Sequence, residues 1–131
     1  MRLIELRTDP RYGKFFEHRP ASARVRFEVN GDAVRVAIDD FLSPSIVERL
    51  SAQEGVLTPQ ITDWRAMVDS VFIDAAYDGE VFDVALADIP ERRQDLVVGS
   101  YSVARPAGSA RPIAVRITDM LGEEVLVVEA R

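Results

Sequence analysis

Cysteine is absent from this chain of 131 residues, and histidine and lysine each occur once. Without cysteine there is no disulfide framework and no thiolate metal site. With His18 as the only imidazole, a histidine-based zinc site cannot form without other ligands. His18 lies in a polar loop with no evident partner, which fits an ordinary surface residue better than a general base. No apolar run approaches the roughly 20 residues that a membrane-spanning helix needs. Met1 to Pro10 carries Arg2, Glu5, Arg7 and Asp9, unlike the apolar stretch of a secretory signal. These absences lead us to expect a cytoplasmic protein with no membrane partner. Motifs of catalysis are missing as well. There is no G-x-x-x-x-G-K-S/T or G-x-G-x-x-G phosphate loop, no G-x-S-x-G elbow and no H-E-x-x-H pair. The expectation is a domain that is not itself an enzyme and that uses no cofactor and no metal.

What is present is globular composition. Apolar residues make up 47% and charged residues 29% of the chain, which separates it from disordered and membrane classes. The length suits one domain. We therefore expect a single β-rich domain over residues 1–131, with an irregular N-terminal segment at 1–22 and a flexible Pro/Gly/Ser-rich loop at 104–112. The formal net charge is −6 but unevenly spread: residues 1–36 hold eight basic and five acidic side chains, and residues 37–131 eight basic and seventeen acidic. Arg7, Arg11, Lys14, Arg19, Arg24 and Arg26 form a basic group with Tyr12, Phe15 and Phe16 interleaved. Such a mixture can contact nucleic acid through phosphates and base stacking. Solvated strand faces account for Arg24 and Arg26 equally well.

Periodicity places the elements. Arg2 to Arg7 reads as a short strand. Val25, Phe27 and Val29 alternate with charged residues, Asn30-Gly31 follows, and Val34, Val36 and Ile38 alternate again. Asn-Gly between such runs predicts a hairpin in a type I′ turn, which pairs Val29 with Asp32, Phe27 with Val34 and Val25 with Val36. Ser43 to Gln53 reads as the one clear helix, capped by Ser43 with Pro44 in its first turn. Trp64 to Val68 reads as a helical turn or the start of a strand. A second hairpin is expected about Asp78-Gly79, from Val71–Tyr77 and Glu80–Ala87. Its apolar residues on both faces predict a central, covered position. Leu96–Val103 reads as a strand, and Ile113–Thr118 with Glu124–Val128 as the last hairpin. Three hairpins and one helix predict a mainly β, antiparallel sandwich-like domain with one short helix. The alternative is an α+β sheet with a helix on one face.

The Asp78-Gly79 register carries a chemical consequence. It sets Asp74 directly across from Asp83, with β-carbons about 5 Å apart, a like-charge juxtaposition that is destabilising unless relieved. A shared proton, a bridging Arg116 or Arg65, plain solvent exposure or a weakly held divalent cation would each relieve it, and a shifted register would avoid it.

Three stretches, "VAIDDFLSPSIVERL", "ITDWRAMVDSVFIDAAYDGEVFDVALADIPERRQDLVVGSY" and "IAVRITDMLGEEVLVV", resemble the distal segment of adenine-specific, Mod-type DNA-methyltransferases of type III restriction–modification systems. The similarity spans roughly residues 34–128, and Asp63–Asp69 and Tyr77–Phe82 are its most distinctive parts. The D-P-P-Y catalytic motif and F-x-G-x-G cofactor loop of such enzymes are absent; Asp9-Pro10-Arg11-Tyr12 is not the former. The resemblance therefore implies a non-catalytic accessory domain of a DNA-modification methyltransferase. Its partner would be a protein or a larger parent chain, with DNA contact possible. The acidic balance of residues 37–131 favours docking to protein over direct contact with DNA. The alternative is an independent β-sandwich binding module unrelated to DNA.

Overall fold

A computed structural model describes residues 20–48, 63–92, 95–106 and 108–130. The expected strand at Arg2–Arg7 and the part of the expected helix beyond residue 48 lie outside the described residues. Seven strands form two antiparallel sheets. The first contains β1 (Ser22–Asn30), β2 (Ala33–Leu42) and β5 (Ser100–Ala104), in the order β1-β2-β5. The second contains β3 (Val68–Asp74), β4 (Leu86–Asp88), β6 (Ala114–Asp119) and β7 (Glu124–Val128), in the order β4-β3-β6-β7. Residues 44–48 are helical, and a 3₁₀ turn at Trp64–Met67 leads into β3. The sandwich-like, mainly β expectation with one short helix is correct.

Alternation explains the core. Val34, Val36 and Ile38 of the first sheet face Val71 and Ile73 of β3 and Val115 and Ile117 of β6 in one continuous cluster, closed by Phe41, Val97 and Ile113. β-branched residues dominate because two heavy atoms on Cβ fit the pleated surface. The central strands β2, β3 and β6 supply most of the fully buried side chains, and edge strand β7 is only half-buried.

Two hairpin registers differ from expectation, each by two residues. In the first, Asn30 pairs with Ala33, Val29 with Val34 and Phe27 with Val36, so Gly31-Asp32 forms the turn. Gly31 has φ 66°, and no described non-glycine residue has positive φ. A type I′ turn would force positive φ on two residues. Sliding by one position leaves glycine alone to supply it, as at the first central residue of a II′ turn. The last hairpin pairs Thr118 with Glu124 through the expected five-residue connection.

The second hairpin departs further. β3 pairs with β4 as Val71 to Asp88, Phe72 to Ala87 and Ile73 to Leu86. Residues 75–84 leave the ladder between them, and the Ala85 N–H returns to it on the Ile73 carbonyl (2.7 Å). The cause is side-chain capture of backbone. Asp78 accepts N–H bonds from Glu80 (2.8 Å) and Val81 (2.9 Å), an Asx-type turn. The N–H of Tyr77 is drawn to the carbonyl of Pro112 (2.9 Å), ahead of β6. β3 is central, as its apolar faces predict. The returning arm is not: Val81 is 68% and Val84 46% exposed.

One buried carboxylate ties several of these elements together. Asp119 ends β6 and is 1% exposed. Its Oδ1 accepts the N–H groups of Leu121 and Glu123, each at 2.9 Å, and its Oδ2 accepts the Ser43 hydroxyl at 2.9 Å. Ser43 in turn caps the helix, with the N–H of Ile46 donating to its Oγ (3.4 Å). The turn also binds the 3₁₀ segment, through Met120 N–H to the Met67 carbonyl (2.9 Å), and the residue before β1, through Ala21 N–H to Glu123 Oε2 (3.0 Å). Removing the carboxylate leaves two part-buried N–H groups and the buried Ser43 hydroxyl without their acceptor. Asp119→Ala is expected to lower unfolding free energy by about 3 kcal/mol or more. Exposed Asp69→Ala is expected to stay within about 0.5 kcal/mol. Urea denaturation of both variants measures the difference.

Candidate functional site

Asp74 and Asp83 are brought together, though not as cross-strand partners. Asp74 is 3% exposed, and Asp83 lies in the 75–84 segment on the surface. Asp74 Oδ1 accepts the N–H of Ala76 (2.9 Å), and its Oδ2 accepts the backbone N–H of Asp83 (2.8 Å). The register shift thus replaces two facing carboxylates with one carboxylate that organises a loop. Backbone N–H dipoles of Ala76 and Asp83 face the Asp74 carboxylate there. No group of three or more acidic, histidine or cysteine residues fit to hold a metal ion occurs among the described residues.

The two arginines considered as bridges are engaged elsewhere. Arg116, on the outer face of β6, lies between two aromatic rings, with its guanidinium carbon 5.0 Å from the Phe72 centroid and 4.6 Å from that of Phe82. Phe82 in turn is 6.0 Å from Tyr77, ring to ring. The 75–84 segment thereby folds back over the outer face of the second sheet, fixed by cation–π and aromatic contacts. Arg65 forks onto Asp63 (2.8 Å from Nη2 to Oδ2) and also donates to the Val97 carbonyl (3.3 Å). Hydrogen bonding from Arg65 holds the Asp63 carboxyl below its ordinary range. The D-W-R stretch is thus a structural corner: Asp63 caps the 3₁₀ turn, Arg65 holds the extended segment that leads into β5, and Trp64 covers Gly99. Gly99 has φ 91°, and a Cβ there would sit 3.0 Å from the Trp64 ring. Only glycine suits both the backbone and the contact.

Of the basic group, Arg7, Arg11, Lys14 and Arg19 lie outside the described residues, as does His18. Arg24 and Arg26 stand exposed on the outer face of β1. Between the Arg24–Asp40 and Val25–Ile38 pairs, β2 carries Asp39 as an extra, bulged residue. Arg26 bonds to it (2.7 Å) and to Glu28 (2.7 Å). The hydrogen bond from Arg26 depresses the Asp39 carboxyl. The charge of Arg26 is therefore largely answered within its own sheet. Arg92 pairs with Asp95 at 3.2 Å, the local charge balance its setting suggests.

Two contacts were not visible in the sequence. Arg105, in the expected flexible loop, sets its Nη2 against both oxygens of Glu129 (2.8 and 2.9 Å) in a mostly buried pair, and its Nη1 donates to the Arg111 carbonyl (3.1 Å). Tyr101 donates its hydroxyl to Asp88 Oδ2 (2.5 Å) and accepts the N–H of Gly99 (3.0 Å). Asp88 Oδ2 also takes the N–H of Val98 (2.7 Å). Tyr101 and Asp88 thus join β5 to β4 across the two sheets. Beside this junction the surface is aliphatic: Ile89 is 57%, Leu96 41% and Val98 65% exposed.

Comparison with protein-family models, with curated proteins and with solved structures finds no match to this chain.

Two outcomes test this assignment of roles. Because both Asp74 oxygens are already engaged, millimolar calcium is expected to leave the melting temperature unchanged; a concentration-dependent rise would place a cation there. Burial, and then the hydrogen bond to Asp88, raise the Tyr101 phenol above its ordinary 10.0. The fold favours the neutral phenol. Its stabilisation is full below the unfolded value and drains away as pH rises above it. Denaturant unfolding from about pH 9 to about pH 11 should therefore show a steeper loss for the wild type than for Tyr101→Phe.

Proposed function

We propose that this chain is a non-catalytic docking domain that associates with a separate catalytic protein, in the setting of a DNA-modification methyltransferase. The observation that carries the docking reading is the exposed aliphatic strip of Ile89, Leu96 and Val98 beside the short edge strand β4. Leu96 and Val98 point outward on either side of fully buried Val97, so the strip is held by the core rather than by a loose tip. Solvated apolar side chains gathered at one edge are the anatomy of an interface core. The methyltransferase setting rests on the resemblance of residues 34–128 to the distal segment of Mod-type enzymes.

Direct DNA binding has less support. The described arginines of the outer β1 face are offset by Glu28, Asp39 and Asp40, and a balanced face draws little on counterion release. The expectation is a strip-dependent complex with a D-P-P-Y-containing methylase encoded in the same or an adjacent reading frame. Mixed at micromolar concentration, the two should co-elute on size exclusion, and Ile89→Glu with Val98→Glu should abolish co-elution while the melting temperature holds. Absence of any such methylase, or a complex indifferent to both substitutions, overturns the proposal. A salt-dependent mobility shift of duplex DNA by the isolated chain would favour direct DNA contact instead.

A further inference from the structure

A different surface carries a ligand reading independent of the docking strip. The outer face of the first sheet has a hollow of about 360 Å3 lined by Asn30, Ala33, Arg35, Ser100, Tyr101 and Ser102. Its origin is local. Cross-strand register sets Arg35 between Glu28 on β1 and Ser102 on β5, and Ala33 between Asn30 and Ala104. Short side chains beside a long one leave a floor of alanine and serine under an arginine wall.

Arg35 is the group that gives the hollow a chemistry. Its Nε donates to Ser100 Oγ at 3.3 Å, which leans the guanidinium along the strand toward β5. Glu28, its cross-strand neighbour, is already bound to Arg26 at 2.7 Å. Among the described residues no carboxylate lies in ion-pair contact with Arg35, unlike Arg26, Arg65, Arg92 and Arg105. Its two terminal nitrogens therefore keep their four N–H donors for something else. Around them stand the hydroxyls of Ser100 and Ser102 and the amide of Asn30.

We propose that this hollow binds one phosphoryl group, with Arg35 as its anchor. A guanidinium fork matches the spacing of two oxygens on a carboxylate or a phosphate. The remaining donors decide between them. They come from β1 and β5, on either side of Arg35, so they suit a tetrahedral oxyanion, which has oxygens left over after the guanidinium fork, better than a flat carboxylate. The surrounding charge decides the size of the ligand. With Glu28, Asp39 and Asp40 on the same sheet, a polyanion is repelled along most of its length, while a single phosphate monoester needs only the guanidinium of Arg35 and the polar groups beside it.

The test is a titration of the whole chain with inorganic phosphate at constant ionic strength, followed by amide chemical shifts, with acetate and sodium chloride in parallel. Saturable shifts are expected at Arg35, Ser100 and Ser102, at millimolar phosphate, with acetate weaker. Arg35→Gln should weaken phosphate at least about tenfold, roughly 1.4 kcal/mol. Arg24→Gln, on the same sheet, should leave it unchanged. Both positions are exposed, so both variants should keep the wild-type melting temperature. Linear shifts shared with chloride, equal binding by Arg35→Gln, or tighter binding of acetate would each overturn the assignment. A 5′-phosphorylated duplex that binds no better than its unphosphorylated form assigns the site to small phosphate esters; a phosphate-independent gain with duplex length would overturn the single-phosphoryl reading.

Discussion

The carboxylate of Asp119 lies in the interior and meets no cation among the described residues. A bare charge there would be prohibitively costly. It is tolerated because three donors replace its water, two from the turn it begins and one from Ser43. Each donor is itself committed. The turn backbone also holds Met67 and, through Glu123, Ala21; Ser43 caps the helix. The entry to β1, the exit of β2, the lead into β3 and the β6–β7 turn therefore depend on one another through a single group. Asp74 and Asp88 repeat the device on a smaller scale, each spending its oxygens on N–H groups or a hydroxyl, and Glu129 joins the Ile113 N–H to the guanidinium of Arg105. These acidic residues serve as internal connectors.

Much of the architecture was legible because alternation is a local property. The three hairpins, the inward sets of β2, β3 and β6, and the Ser43 cap all follow from spacing and turn residues. What escaped was register. In the first hairpin, Asn-Gly located the bend but not its centre, since only glycine took positive φ. In the second, Asp78-Gly79 marked a reversal, yet the aspartate side chain captured the following N–H groups and opened the turn into a long segment. Both slips are by two residues, which preserves the inward face of every strand. The burial pattern was therefore readable where the partner of each residue was not.

The candidate sites were legible to a lesser degree. Asp74 and Asp83 do meet, because the pairing error was small, but the contact is carboxylate to backbone. Arg24 and Arg26 are exposed as strand alternation requires. The bulge that delivers Asp39 to Arg26 has no signature in the sequence. Arg35 could not be singled out from its neighbours by position. Its openness depends on Glu28 turning to Arg26, on the serines of a strand some 65 residues away, and on the alanine beside it. Such features arise from the juxtaposition of distant segments.

The strand order has a kinetic meaning. The β1–β2 and β6–β7 pairs join neighbouring segments and can close in microseconds. The β2–β5 and β3–β6 pairs, by contrast, bridge long stretches of chain. The path leaves the first sheet after β2, lays down β3 and β4 in the second, returns for β5, and crosses back for β6 and β7. Neither sheet can be completed from one continuous piece. A nascent chain holds an unfinished first sheet, with the inner edge of β2 unpaired, until β5 has emerged. The interval between those two events is when this domain is most open to association with other chains. Placing β2 at the centre rather than the edge makes that interval long, because its second partner is the late one.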